Sequence, residues 1–404
     1  MRLMQFVVDC PWPTISGGDI RNTLLGTLDG VAAYCCVGLT KPQEEQHTIP
    51  VEYHQLQCFA NSNPWKNFDP HQPTCLRFSQ NAFSDVEHLI DAFQPSIVVF
   101  EGVAWGAILR QLQSRRIPTV LDMHNVESLL YEEGMQSRPW YKNVWFRLHS
   151  RRWRRAVREV DRELSHLADQ TWVCSADDAS ALHALGGVSS HQIPNPIPHE
   201  SALEAPIFED RYRNKNPLFI GHLSFFPNVA AVVELAKHGR RALARRNIII
   251  QPLVAGRQPA RAIRTLASKG LIQLIANPVS CQNLLANSGY SLLPIRQGSG
   301  TRIKILEALA AGLVVIATHK AVEGLGLLDG IHYCHAETID DMANRLCEFV
   351  AHPDQAAQLA QRGRDLVIEN YSRTVIHHKL STALQLLHGT RQTGMSVDRC
   401  LFRG

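Results

Sequence analysis

The chain has 404 residues, 45% hydrophobic and 19% charged, with a formal net charge of +4. That balance excludes a disordered chain and provides cores for two or three domains at roughly 150 residues each. So small a charge excludes a wholesale nucleic-acid binder, and any cationic function must be local. The ten cysteines are dispersed, without a Cys-x-x-Cys pair, which suits a reducing cytoplasm better than a disulfide framework.

Leu3 to Val8 reads as a buried strand rather than a signal peptide, since Asp9 interrupts it. No stretch reaches the roughly 18 uninterrupted apolar residues of a membrane span. Cys10-Pro-Trp-Pro-Thr-Ile-Ser-Gly17-Gly18 is a loop into a helix starting near Asp19 or Ile20. Loops at the carboxyl ends of parallel strands are where α/β proteins bind ligands, so Gly17-Gly18 is either such a site or a plain turn. From Val31 to about Phe83, Pro42, Pro50, Pro64, Pro70 and Pro73 break the periodicity, leaving only short strands and loops.

Ser96 to Phe100 is a strand ending at Glu101-Gly102, and Pro118 to Asp122 one ending at Met123-His124-Asn125. Asn125 is a candidate N-cap for the next helix. His124 then falls on the same sheet edge as Gly17. It is either a structural hydrogen-bonding residue or a ring offered to a substrate hydroxyl or phosphate.

Arg138 to Arg162 holds nine Lys/Arg against two acidic residues, with Trp140, Trp145, Phe146 and Trp153 interleaved. This suits docking on an anionic membrane surface, or a solvated helix face whose tryptophans enter the core. Thr171 to Ser175 is a strand, and Ser175-Ala-Asp-Asp178 resembles a capping box. Ile193-Pro-Asn-Pro-Ile-Pro198 then stops regular structure, and the polar stretch to Asn216 reads as a linker.

In the second half, Leu218 to Gly221 is a strand and Pro227-Asn228 caps a helix through Leu235. Ile248 to Ala255, Leu271 to Ile275 and Tyr290 to Leu293 are further strands. After the loop Gly298-Ser299-Gly300-Thr301, Ile305, Leu306, Leu309 and Leu313 recur at helical spacing, Gly312 suits a left-handed helix end, and Leu313 to Thr318 is a buried strand. The alternation implies one doubly wound parallel sheet. Helices over about 338–351, 354–369 and 372–387 close the chain.

Arg302 and Lys304 stand in a first helical turn, where the dipole favours anions, so a bound anion would remove the conflict. With the glycine-rich loop before them they read as a diphosphate site, or as an ordinary turn before a basic helix. No Asp-x-Asp, His-Glu-x-x-His or Walker lysine motif occurs, so neither a carboxylate-held metal nor a P-loop is indicated.

Gly298-Ser-Gly-Thr-Arg-Ile-Lys-Ile-Leu-Glu307-Ala-Leu-Ala-Ala-Gly312-Leu-Val-Val, followed by Glu323-Gly324-Leu325, closely resembles the donor-binding core of GT-B-fold glycosyltransferases of the family-4 type. Further matches are Gly17-Gly18 with Arg21, His124-Asn125, Asn195-Pro and Glu369-Asn-Tyr371-Ser372, so the resemblance spans nearly the whole chain. It implies an α/β chain of two Rossmann-like domains facing a cleft. Residues 1–195 would bind the acceptor, 196–216 link, 217–370 bind the nucleotide-sugar, 371–388 form a helix packing back on the first domain, and 389–404 trail as a polar tail.

The implied activity is retaining transfer of a sugar from a nucleotide-sugar donor to a glycan, lipid-linked or other hydroxyl acceptor. No metal or other cofactor and no nucleic-acid partner is implied. The cytoplasm, with residues 138–162 against an anionic membrane surface, would be its place. Gly300, Thr301, Arg302 and Lys304 would hold the diphosphate, Glu307 the ribose hydroxyls, and the backbone near Val279 would border the base. Gly17 and Gly18 would approach the donor phosphates or acceptor, and His124 would contact the donor sugar or its phosphate. His124, Arg302 and Lys304 would be the catalytic groups.

Glu307 on an otherwise apolar helix is costly to bury without a partner, unless it is a surface residue pairing with Lys304. The chain departs from the family pattern at Ser299, where a glutamate is expected, so the contact that orients the sugar is either absent or supplied elsewhere, by Arg296 or Gln297. It departs again at Gly221-His-Leu-Ser-Phe-Phe-Pro-Asn228, which lacks the usual Arg and Lys, so Arg302 and Lys304 would neutralise the phosphates. A nucleotide-sugar epimerase and a non-catalytic nucleotide-sugar-binding scaffold of the same fold are the alternatives.

Overall fold

The structure, a computed structural model, describes residues 1–12, 17–40, 51–56, 68–69, 71–136, 140–198, 203–204, 206–297 and 302–392. The chain divides into two compact units, Met1–Asn195 with Ile376–Gly404, and Pro196–Gly298 with Arg302–Val375.

The first unit is built on β1 (Arg2–Val7), β2 (Ala33–Gly38), β3 (Glu52–Gln55), β4 (Ile97–Glu101), β5 (Thr119–Met123), β6 (Gln170–Val173) and β7 (His191–Gln192). They form one seven-stranded parallel sheet in the order β3-β2-β1-β4-β5-β6-β7. The winding reverses between β1 and β4, which pair Leu3 with Ile97 and Phe6 with Phe100. The carboxyl ends of those strands are therefore the switch point at which such sheets bind ligands.

Both faces of the sheet are covered, which is why the strands read as continuous apolar runs. One face packs Phe6 and Phe100, ring centroids 5.0 Å apart, under Trp105. The other buries Leu3, Val7, Ile97 and Val99 against Ile376, Leu380 and Leu384. Those last residues belong to the helix Arg373–Gln392, so the terminal helix packs on the first unit's sheet.

One helix of this unit escaped the sequence reading. Gln80–Phe93 begins where only short strands and loops were expected; Ser79 caps it, accepting from the Ala82 amide at 3.2 Å. Ala82, Val86, Ile90 and Phe93 form its buried stripe.

The second unit contains β8 (Leu218–Ile220), β9 (Leu253–Gly256) and β10 (Gln273–Ala276) in one parallel sheet, ordered β10-β9-β8. A second parallel sheet holds β11 (Tyr290–Leu293), β12 (Val314–Ala317) and β13 (Cys334–His335). The single sheet expected from the alternation is thus two. At their junction the Ser291 hydroxyl donates to the Leu218 carbonyl at 3.0 Å. β9 starts later than the apolar run because Pro252 has no N–H to give a ladder.

The stretch read as a linker is built into this unit. Tyr212 is fully buried and its hydroxyl donates to the Gly312 carbonyl at 2.8 Å. The buried Arg211 guanidinium donates to the carbonyls of Ser288, at 2.7 Å, and Ala311, at 2.8 Å, which offsets its desolvation. Among the described residues no helix is long and apolar enough to cross a membrane.

Candidate functional site

The helix Gly17–Leu25 starts two residues before the expected Asp19, directly beside His124. A Cβ on Gly18 would sit 2.7 Å from the His124 Nδ1, so only glycine lets the helix start come this close. The ring follows β5 and lies between two carboxylates. Its Nδ1 is 3.5 Å from the Glu101 Oε1, at the end of β4, and its Nε2 is 3.5 Å from the Asp122 Oδ2.

Asp122 is itself fully buried and accepts from both Nε and Nη2 of Arg21, the first at 2.9 Å. Burial alone would raise its pKa, but Arg21 and His124 outweigh burial and hold it below the usual carboxylate value. For His124 burial favours the neutral ring, yet Asp122 and Glu101 prevail and its pKa is raised. Glu101 is pushed up by burial despite the histidine, and it also accepts from the Val8 amide at 3.0 Å. The result is a histidine ring set between two acidic side chains that favour its protonated form, beside a helix start.

Sequence reasoning set Gly18 and His124 on one sheet edge, and here they touch. It missed Glu101 and Asp122 as partners of the histidine. The available signal was an acidic residue at the end of each of two adjacent buried strands, one of them in Asp122-Met-His124.

In the second unit, Ser299, Gly300 and Thr301 lie outside the described residues. The helix that follows, Ile303–Ala310, is apolar except for two charged side chains, Lys304 and Glu307, and is buried from Ile305 onward. Lys304 donates through Nζ to the Asn228 Oδ1 and lies 5.2 Å from the centroid of the Phe219 ring. Burial first, and Arg302 second, lower its pKa to about 7.

Glu307 is only 8% exposed, and burial pushes its carboxyl up to about 7. The reading of Glu307 as a surface partner of Lys304 does not hold, since the ammonium is directed at Asn228. Arg302 points elsewhere: its Nη2 donates to the Lys320 carbonyl at 3.4 Å and lies 3.9 Å from the Glu323 Oε2. Arg302 and Lys304 thus have different partners among the described residues.

Asn228, read as a helix cap, is instead a buried residue inside the first turn of Phe226–Glu234, whose N-cap is Phe225. Arg296 pairs with Glu337 at 3.1 Å and Glu234 at 3.3 Å. The Val279 side chain is fully exposed beyond β10. Among the described residues, Cys35, Glu52 and His54 group three metal-type donors within 4.8 Å. Burial, with Glu52 beside it, pushes the Cys35 thiol up to about 12.

Residues 214–352 match the sequence model of the family described as "Glycosyl transferases group 1", and residues 31–196 match that of the "Glycosyl transferase 4-like domain". No curated protein is significantly similar in sequence to this chain. Sucrose-phosphate synthase from Thermosynechococcus elongatus superposes with a TM-score of 0.72 at 13% identity, over 96% of this chain and 100% of that one. For Anabaena Alr3699/HepE in complex with UDP and glucose the TM-score is 0.65 at 13% identity, over 95% and 99%. The trehalose 6-phosphate synthase of Burkholderia multivorans gives 0.60 at 13% identity, over 98% and 100%. At such identities the likeness is one of fold.

Proposed function

The chain belongs to the group 1 glycosyl transferases, with a GT-B fold of two Rossmann-like domains, and is a sugar-transferring enzyme; we propose that it is a retaining, metal-independent enzyme using a nucleotide-sugar donor and a hydroxyl acceptor. The observation that carries this reading is the helix Ile303–Ala310, which sets a cation, Lys304, one turn before a desolvated carboxylate, Glu307. A diphosphate joined to a ribose asks for that pair: positive charge for the phosphates and an acceptor for the ribose hydroxyls, about 5–6 Å apart along one helix face. Among the described residues no ion pair reaches Glu307, which suits a carboxylate whose partner is a ligand.

As the anomeric C–O bond breaks, negative charge collects on the leaving diphosphate. Lys304 stabilises it there, and backbone amides of the loop before the helix would add to this. The acceptor hydroxyl attacks from the face the diphosphate leaves, and its proton passes to the departing phosphate oxygen. In the first unit, the His124 ring and the helix start at Gly17-Gly18 offer a second hydroxyl- or phosphate-binding edge.

A thermal-shift screen across nucleotide-sugars tests the donor class, since a ligand at 100 times its Kd stabilises by about 2.7 kcal/mol. Transfer assayed in EDTA, with the product anomer read by NMR, tests the rest. Loss of turnover in EDTA or an inverted product overturns the mechanism. The scaffold reading draws on Ser299, where a glutamate is expected, and stabilisation by a donor that no acceptor consumes would favour it.

A glycan or lipid-linked acceptor at an anionic membrane surface is part of the proposal. It is supported by the helix Trp140–Leu167, which leaves Trp153 45% exposed among exposed Arg151, Arg152 and Arg155 while burying Val157 and Val160.

A further inference from the structure

β8 runs into Gly221, and the stretch from Gly221 to Asn228 contains no Arg or Lys. The strand end nevertheless has a cation. Lys304 reaches it from the helix Ile303–Ala310, with Nζ 3.5 Å from where a Cβ on Gly221 would be. Glycine at 221 leaves room for this arrangement, since that Cβ would meet the Asn228 Nδ2 at 2.9 Å.

Asn228 holds the lysine in place. Its Oδ1 accepts from Nζ, and its Nδ2 donates to the His222 carbonyl at 2.9 Å. The residue is 3% exposed, and each end of its amide has its proper partner, so the amide is fixed in one orientation. A lysine side chain is otherwise a flexible four-carbon stem that loses rotamer entropy on ordering.

The chemistry of the tether matters as much as its position. A carboxylate there would pair with the ammonium and cancel the charge that a phosphate needs. A neutral amide fixes the nitrogen and leaves its charge for the ligand.

We infer that Asn228 is a positioning residue of the donor-phosphate site: it holds the Lys304 ammonium at the carboxyl end of β8, so that a cation from a distant helix replaces those missing from the β8 loop. The inference rests on the nucleotide-sugar reading only in taking the ligand to be a diphosphate. The same burial that lowers the Lys304 pKa makes its geometry exacting, because a desolvated ammonium interacts strongly with an anion in contact and wastes much of that interaction when misaimed.

Inorganic pyrophosphate is the probe, titrated by calorimetry into the full chain as wild type, N228A, K304A and the double variant, each first checked by thermal melting. Each single substitution is expected to weaken binding about tenfold, as loss of one charge-assisted hydrogen bond would. The double variant is expected to bind no more weakly than K304A, because Asn228 acts only through Lys304. A merely structural role for Asn228 predicts additive losses instead. Unchanged affinity in N228A, additivity in the double variant, or no pyrophosphate binding by the wild type overturns the inference.

Should N228A fail to fold, Asn228→Ser, which is neutral and too short to hold Nζ, takes its place. Its tenfold loss is expected to vanish in the K304A background, and a loss that persists there is contrary. A non-additive cycle in a protein that turns over no nucleotide-sugar leaves the lysine clamp standing and removes the transferase mechanism. Turnover with an additive cycle does the reverse.

Discussion

The carboxyl of Glu307 is pushed up to about 7 by burial, from an ordinary value of 4.5. Its stabilising contribution is therefore complete below pH 4.5 and lost as pH rises through 7, when a charge must be held in an apolar helix. The span amounts to about 3 kcal/mol. Glu307→Gln should remove that loss, making the free protein more stable at pH 8 by urea melts, while weakening a nucleoside diphosphate about tenfold in calorimetry. A variant that lost stability at pH 8 and kept its affinity would make Glu307 a structural residue. At His124 the balance is set by neighbours: burial lowers its pKa, and Asp122 and Glu101 raise it by more. Glu101→Gln should move the ring's titration, followed by its Cε1 proton in NMR, to lower pH. An unmoved titration would show that Glu101 does not hold the imidazolium.

Among the elements, the helix Gly17–Leu25 is tied to β5 by the fully buried Arg21–Asp122 pair. Asp122→Asn leaves a buried guanidinium uncompensated and should cost roughly 3–5 kcal/mol in denaturant unfolding. The helix Trp140–Leu167 makes a separate prediction. Replacing Arg151, Arg152, Arg154 and Arg155 by alanine should weaken binding to phosphatidylserine vesicles by about a thousandfold, at roughly 1 kcal/mol per basic residue near the surface. Retained binding would remove the membrane from the proposal. Elements with strong periodicity were legible from the residues: β11, the helix after it and β12 fall within about a residue of their reading. Gln80–Phe93 was not, because the prolines before it masked a regular buried stripe. The stretch around Arg211 and Tyr212 was misread because polar composition is a correlate of exposure, and a guanidinium satisfied by carbonyls can be buried.

For the molecule, the terminal helix Arg373–Gln392 matters most to the first unit, where Ile376, Leu380 and Leu384 cover Leu3, Val7, Ile97 and Val99. Removing residues 373–404 uncovers that face, at about 1.5–3 kcal/mol for each large apolar side chain lost. Amide exchange should accelerate in β1 and β4 and stay slow in β11 and β12; uniform protection would show the helix to be dispensable. The residues taken alone carried the α/β class and the two-part organisation, because periodicity is a local property of the chain, and the resemblance of a contiguous loop-helix motif pointed to the sugar-transferring family. Tertiary structure decided which charges meet. Lys304 is directed to Asn228 across 76 positions, and Arg21 to Asp122 across 101. Arg302 turns instead to Lys320 and Glu323, and Glu307 is left desolvated. Such partners depend on distances of a few ångströms between segments far apart in sequence, and no local pattern encodes them.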